Sequence, residues 1–171
     1  MGDLALAGAT SGTITLTPTA VAGSNTLTLP AATGTVMVSG NMPAFSAVQS
    51  SSQTVTLNTW TKIQLQTEEF DTANCFDNTT NYRFTPNVAG YYQISGGIQV
   101  LTNLTTILLQ IYKNGSGEKY LAYTSTSTGA AYGSALIYLN GSTDYVELYG
   151  YIGATQGLTA TYFQGAMVRA A

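Results

Sequence analysis

Apolar and polar residues alternate with a period of two through most of this chain. In 144–152, Val146, Leu148 and Ile152 fall on one face and Tyr145, Glu147, Tyr149 and Tyr151 on the other. In 105–113, Ile107, Leu109 and Ile111 oppose Leu108, Gln110 and Tyr112. Alternation of this kind predicts β-strands with one face buried. Read along the chain, it predicts strands near 54–56, 60–66, 82–84, 91–101, 105–113, 118–125, 132–139, 144–152 and 160–169. Turn residues separate them: Asn114-Gly115-Ser116-Gly117, Gly129, Asn140-Gly141-Ser142, and Gly153 to Gly157. No stretch holds a helical period. Many short strands at regular spacing predict an all-β sandwich or jelly roll. The last run, TYFQGAMVRAA, carries one charge and suits an inner strand.

The first 43 residues are patterned differently. Thr13-Ile14-Thr15-Leu16-Thr17 and Thr26-Leu27-Thr28-Leu29 form an imperfect repeat, each closed by a proline (Pro18, Pro30), and Thr35-Val36-Met37-Val38 is a third strand-like run. Each is too short to stand alone. Copies gathered about a threefold axis, or docking on a partner's sheet edge, would bury their apolar sides. Residues 39–53, with Gly40, Pro43 and a serine run, read as a junction, and Ala44–Val48 as an edge strand opening the second part. The expected domains are a β-rich anchoring and trimerising arm, 1–43, and a head, 44–171.

Composition narrows the chemistry. Among 171 residues there is no histidine and one cysteine, Cys75. That excludes Ser-His-Asp and Cys-His catalysis, imidazole ligation of metals, an internal disulfide and a cysteine-rich zinc site. The five basic residues, Lys62, Arg83, Lys113, Lys119 and Arg169, are scattered, so nucleic-acid binding is not expected. No apolar run is long enough for a membrane helix, and MGDLALAGAT lacks the basic start of a secretory signal; synthesis in a cytoplasm is expected. Between Leu4 and Thr61 there is no charged side chain. A solvated arm normally carries charge, so this one is expected to lie against other surfaces.

One stretch, TEEFDTANCFDNTTNYRF (67–84), holds Glu68, Glu69, Asp71, Asp77 and Cys75. It reads as an exposed connection pinned to the core by Phe70 and Phe76. Calcium, which takes carboxylate and carbonyl oxygens, is the competing reading, with Asp71, Asp77 and Asn78 as donors. A glycosidase pair of carboxylates needs a sugar-sized cleft and one raised pKa, and nothing in the sequence marks one. Neither cofactor nor metal is assigned.

The second face of the head strands is rich in tyrosine, a residue suited to interfaces. Tyr112, Tyr149 and Tyr151 are therefore candidate trimer-interface residues, although tyrosine also occurs on outer sheet faces without a partner.

Three landmarks carry a family resemblance. RFTPNVAGYYQI has Phe84, Gly90 and Tyr92 in an F-x5-G-x-Y spacing, LNGSTDYVELYG precedes the end, and YFQGAMV closes the chain. Together they resemble the globular-head domain of the first complement component, subcomponent q, over about residues 44–171. The resemblance implies a TNF-like jelly-roll head that trimerises through one sheet, with Gly90 turning the chain and Phe84 and Tyr92 in the core. Ile94 and Gly96 stand where that family has aromatics. The segment GTITLTPTAVAGSNTLTLPAATGT resembles one recurring in structural proteins of tailed bacteriophages. The combined expectation is a non-enzymatic, homotrimeric virion surface protein. It would be a capsid decoration protein anchored on major capsid protein, or the receptor-binding tip of a short tail or head fibre joined to a tail or fibre attachment protein. In the second case the loops NGSGEK and STSTGAAYG are candidates to meet a host cell-surface receptor. A depolymerising tailspike enzyme is disfavoured.

Overall fold

The computed structural model describes residues 3–171 except Ala22, Leu29, Pro30, Ala32, Thr35, Thr105 and 125–127; at Asn103, Leu104 and Thr128 it describes the backbone alone. The chain divides into two units, Met1–Gly34 and Thr35–Ala171. The division lies upstream of Pro43, because Met37 already packs on the head core.

In the first unit β1 (Leu4–Ala7) and β2 (Thr13–Leu16) form an antiparallel hairpin. Its register pairs Leu4 with Leu16 and Leu6 with Ile14 on one face, and Ala5 with Thr15 and Ala7 with Thr13 on the other. All eight residues are exposed. The first alternating run is thus a strand, paired with a segment whose short Leu-Ala repeat had not suggested one. The described residues of the other two runs are not in strands; Leu29 and Thr35 lie outside the described residues.

The second unit is a sandwich of two antiparallel sheets. Sheet I has the order β12 (Thr128–Leu139), β9 (Gly90–Leu104), β14 (Gln156–Ala170), β3 (Ala44–Val48), β6 (Thr67–Asp71), with β4 (Thr54–Val55) also on β14. Sheet II has the order β11 (Ser116–Thr124), β10 (Ile107–Lys113), β13 (Val146–Ile152), β8 (Arg83–Phe84), β7 (Phe76–Asp77), with β5 (Thr61–Lys62) also on β13. The strand alternation sets the layers. Ile107, Leu109, Ile111, Val146, Leu148 and Ile152 all point inward and are fully buried. Asn114-Gly115 makes the β10–β11 hairpin turn, with φ of 52° and 80°, the left-handed pair that two-residue hairpins require.

The inner space is filled around Phe45. Its ring stacks on Phe84 at 4.3 Å and Phe76 at 5.0 Å between centroids, and meets Phe163 edge-on at 5.1 Å. Phe84 in turn meets Tyr92 at 5.5 Å, and the Tyr92 hydroxyl donates to the Val88 carbonyl at 2.6 Å. The Phe84–Tyr92 core pair expected from the resemblance is present. Gly90 is not at a turn. It opens β9 where the strand runs so close to the Arg169 carbonyl that a Cβ would collide with it.

Two further expectations are corrected. Ala44–Val48 is not an edge strand: β3 lies between β14 and β6, because residues 67–71 of the acidic stretch pair with it and form the edge instead. The central place of β14, between β9 and β3, agrees with its sequence, in which Arg169 is the one charged residue. Phe76 is buried as expected, whereas Phe70 is 52% exposed, since it sits on the outer side of the edge strand.

Candidate functional site

Three places in the head concentrate polar or aromatic side chains. The first is the acidic stretch. Here Asp71 accepts hydrogen bonds from the backbone N–H groups of Cys75 (2.5 Å), Phe76 (2.6 Å) and Ala73 (3.2 Å). Asp77 accepts from the N–H groups of Thr79, Thr80 and Asn81, from the Thr79 hydroxyl and from Asn81 Nδ2. The Thr80 N–H bond and its neighbours hold the Asp77 carboxyl well below the usual carboxylate range. Glu69 accepts from the Ser46 hydroxyl at 2.7 Å. Glu69 is exposed as expected, and Glu68, Asp71 and Asp77 are half-buried; Glu69, Asp71 and Asp77 also fasten the connection to β3 and to itself. Among the described residues no three His, Cys, Asp or Glu side chains converge as a metal site would need. An open hollow of about 430 Å³ lies beside the stretch, lined by Glu68, Cys75, Asp77 and Arg83 among others. Burial pushes the Cys75 thiol up, and Asp71 adds to the rise, so it is a poor nucleophile.

The second place is the outer face of sheet I. Tyr91, Tyr132, Leu136 and Tyr138 are exposed there, with Leu101 and Val168. Tyr91 and Tyr138 are cross-strand partners 5.5 Å apart. Tyr132 and Tyr162 flank Gly97 from the two neighbouring strands, with rings near parallel at 15° and 6.2 Å apart. A Cβ on Gly97 would collide with both rings. The face is therefore broad, aromatic and nearly free of charge.

The third place is the outer face of sheet II, where the structure puts all three tyrosines singled out from the sequence. Tyr112 and Tyr149 stack at 3.8 Å and 13°. Trp60, just before β5, reaches over the sheet to Tyr151 (5.5 Å), Tyr120 (6.0 Å) and Tyr112 (6.1 Å). Below them Lys62 pairs with Glu147 at 2.5 Å, their side chains 34% and 4% exposed, and Lys62 also donates to the Asn81 carbonyl at 3.3 Å. Trp60 was missed in the sequence. As a lone tryptophan at the edge of a predicted strand it gave no periodic signal, and its partners lie far along the chain.

Of the two loops considered for receptor contact, Asn114-Gly115 is the tight turn already described, and Asn114 is tied to Asp144 and Tyr145. In STSTGAAYG, residues 125–127 lie outside the described residues and the remainder belongs to β12.

No family model matches the sequence, and no curated protein matches it. Solved structures do resemble the fold. The globular domain of zebrafish complement 1qA protein matches with a TM-score of 0.58 at 19% identity, over 75% of this chain and 99% of that one. PRD1 vertex protein P5 matches with a TM-score of 0.60 at 17% identity, over 74% and 96%. Murine APRIL matches with a TM-score of 0.56 at 11% identity, over 74% and 99%. The head is a TNF-like jelly-roll sandwich. No helix among the described residues is long and apolar enough to cross a membrane.

Proposed function

We propose that this chain is a non-enzymatic surface protein of a bacteriophage particle: a homotrimer that decorates the capsid, anchored on major capsid protein by its N-terminal arm. One observation carries the reading. The head completes its own core, while every described residue of the first unit is exposed and, apart from Asp3, uncharged. Leu4, Leu6, Ile14 and Leu16 on one hairpin face are apolar surface awaiting a partner. The likeness of the head to a phage vertex protein supports a place on a particle surface.

The trimer is proposed to close through sheet I. A stable interface removes on the order of 800 Å² per partner from water and is rich in tyrosine. Sheet I offers such a face across three long strands. The sequence had suggested Tyr112, Tyr149 and Tyr151 instead, but Trp60 already covers part of that patch within one protomer. Fibre-tip adhesion is the second reading, favoured by the aromatic cluster under Trp60.

Deletion of residues 1–34 tests the anchor. The truncated head is expected to fold and trimerise but not to bind particles lacking the protein. Binding of the full chain is expected to resist salt, since arm ion pairs beyond Asp3 do not exist to be screened. Full occupancy by the truncated head would remove the anchoring role from the arm.

A further inference from the structure

Arg83 is a cation flanked by two acidic residues and paired with neither. In sheet II it stands opposite Asp77 on β7 and opposite Glu147 on β13, and cross-strand partners share a face. The Asp77 carboxylate is taken by Thr79, Thr80 and Asn81 of its own loop, and Glu147 is paired with Lys62. Among the described residues the ion pairs are Lys62–Glu147 and Lys113–Asp144. The Arg83 guanidinium lies instead over the Tyr145 ring, 4.3 Å from its centroid. A ring face fixes where a guanidinium sits and takes none of the N–H donors along its edge. Among the described residues those donors make no hydrogen bond. A positioned guanidinium with an open fork suits an external oxyanion.

Arg83 also lines the hollow of about 430 Å³ beside the acidic stretch, a size within the roughly 300–1,000 Å³ of small-ligand sites. Three more of its lining residues, Glu68, Asn74 and Thr85, make no side-chain hydrogen bond among the described residues. A fourth, Asn78, donates its amide N–H to the Gln66 carbonyl at 3.2 Å, and its amide oxygen has no partner. The aromatic residue of the lining, Phe76, is 6% exposed. The hollow therefore offers a cation, a carboxylate, a hydroxyl and two amides, with little aromatic surface between them.

We infer that this hollow is a binding site for an acidic sugar, a uronic-acid residue of a glycan chain, held by its carboxylate on Arg83. The carboxylate matches the guanidinium fork. The ring hydroxyls both donate and accept, and so can meet Glu68, Asn74, Asn78 and Thr85. A group with one negative charge is favoured over a phosphate, because Glu68 and Asp77 also line the hollow and repel a second charge. An acidic peptide fits less well: it brings carboxylates but few hydroxyls, and the Glu68 carboxylate and the Asn78 amide oxygen are acceptors that need a donor. The inference stands on the head alone and does not depend on where the protein sits on a particle.

Full-length protein would be titrated calorimetrically, at low ionic strength, with oligogalacturonate and oligoglucuronate. The methyl ester of each, a short polyglutamate peptide and inorganic phosphate serve as comparisons. At least one uronate series is expected to bind saturably and more weakly as salt rises. It is expected to bind about tenfold more tightly than its methyl ester, which keeps the ring and removes the charge. Arg83→Gln is expected to weaken binding about tenfold, and Arg83→Lys, which keeps the charge without the fork, by less. Asn74→Gly, at an exposed position with φ of 53° that glycine adopts freely, is expected to weaken it about threefold with an unchanged melting temperature. Silence toward both uronate series overturns the inference, as does binding that Arg83→Gln and Asn74→Gly both leave intact, or that the methyl esters match. Tighter binding of the peptide or of phosphate overturns it too, and makes the hollow a general anion site.

Discussion

Replacing Lys62 by methionine tests how the outer face of sheet II is held. The substitution keeps most of the aliphatic stem and removes the ammonium. Glu147 then remains on the middle strand of that face, 4% exposed, without the cation 2.5 Å away. Breaking a fully buried pair costs about 3–5 kcal/mol, while exposed pairs contribute about 0.2–1 kcal/mol. Glu147 belongs to the first class. Lys62, a third exposed, is partly screened by water. The expected cost is between the two, about 2–3 kcal/mol. For a head of this size that is a fall in melting temperature of roughly 6–12 °C. The double variant Lys62→Met/Glu147→Gln removes the stranded charge and is expected to recover a large part of the loss. Thermal scans followed by far-ultraviolet circular dichroism, at matched protein concentration, read all three. The reasoning fails if Lys62→Met melts within about 1 °C of the parent, or if the double variant is no better than the single one.

Other expectations follow from the same geometry. Asp77, with its pKa lowered in the folded state, contributes stability that is complete above the ordinary carboxylate range and is lost as pH falls through its folded pKa. The stability gap between the parent and Asp77→Asn is accordingly expected to be constant at pH 5–7 and to narrow as the solution is acidified below about pH 4; a gap that widens on acidification refutes the assignment. Leu136→Asp, which puts a charge in the middle of the tyrosine face of sheet I, is expected to give folded monomers in sedimentation, and a trimer that persists would move the interface elsewhere. Cys75 is expected to react with a soluble disulfide reagent at pH 8 much more slowly in the folded chain than in urea, since burial raises its pKa; equal rates would place the thiol at the surface.

Strands whose side chains alternate cleanly were legible in the sequence. Val146, Leu148 and Ile152, and Ile107, Leu109 and Ile111, gave the inward faces of two strands directly, because period two and burial coincide there. Phe84 and Tyr92 were found by their spacing and do meet in the core. The β6 edge strand was hidden because its TEEFD sequence looks like a loop: an edge strand has one solvated side and tolerates charges that a central strand does not. Asp71 and Asp77 looked like free carboxylates because nothing in a linear pattern shows that backbone N–H groups of the next few residues will turn back onto them. The aromatic cluster was half legible. The tyrosines of β10 and β13 lay on one face by alternation, but Trp60 and Tyr120 join them only through the sheet order β11-β10-β13 and the off-path pairing of β5. Which outer face would be the barer one depended on where that single indole landed.

The central position of β14 has a consequence for how the chain is made. It is synthesised after every other strand of the head, yet it joins β9 on one side to β3 on the other. Until it emerges, sheet I exists only as two detached pairs, β12 with β9 and β3 with β6, each with an open hydrogen-bonding edge facing the vacancy. Sheet II meets no such delay, because β10, β11 and β13 are already complete. Folding of the head is thus held back during translation, and a nascent chain carries two adhesive edges that a neighbouring chain can pair with by mistake. Conditions that slow the last stage of synthesis should favour strand exchange between chains over correct closure, and the yield of native protein should depend on how quickly residues 156–170 follow the rest.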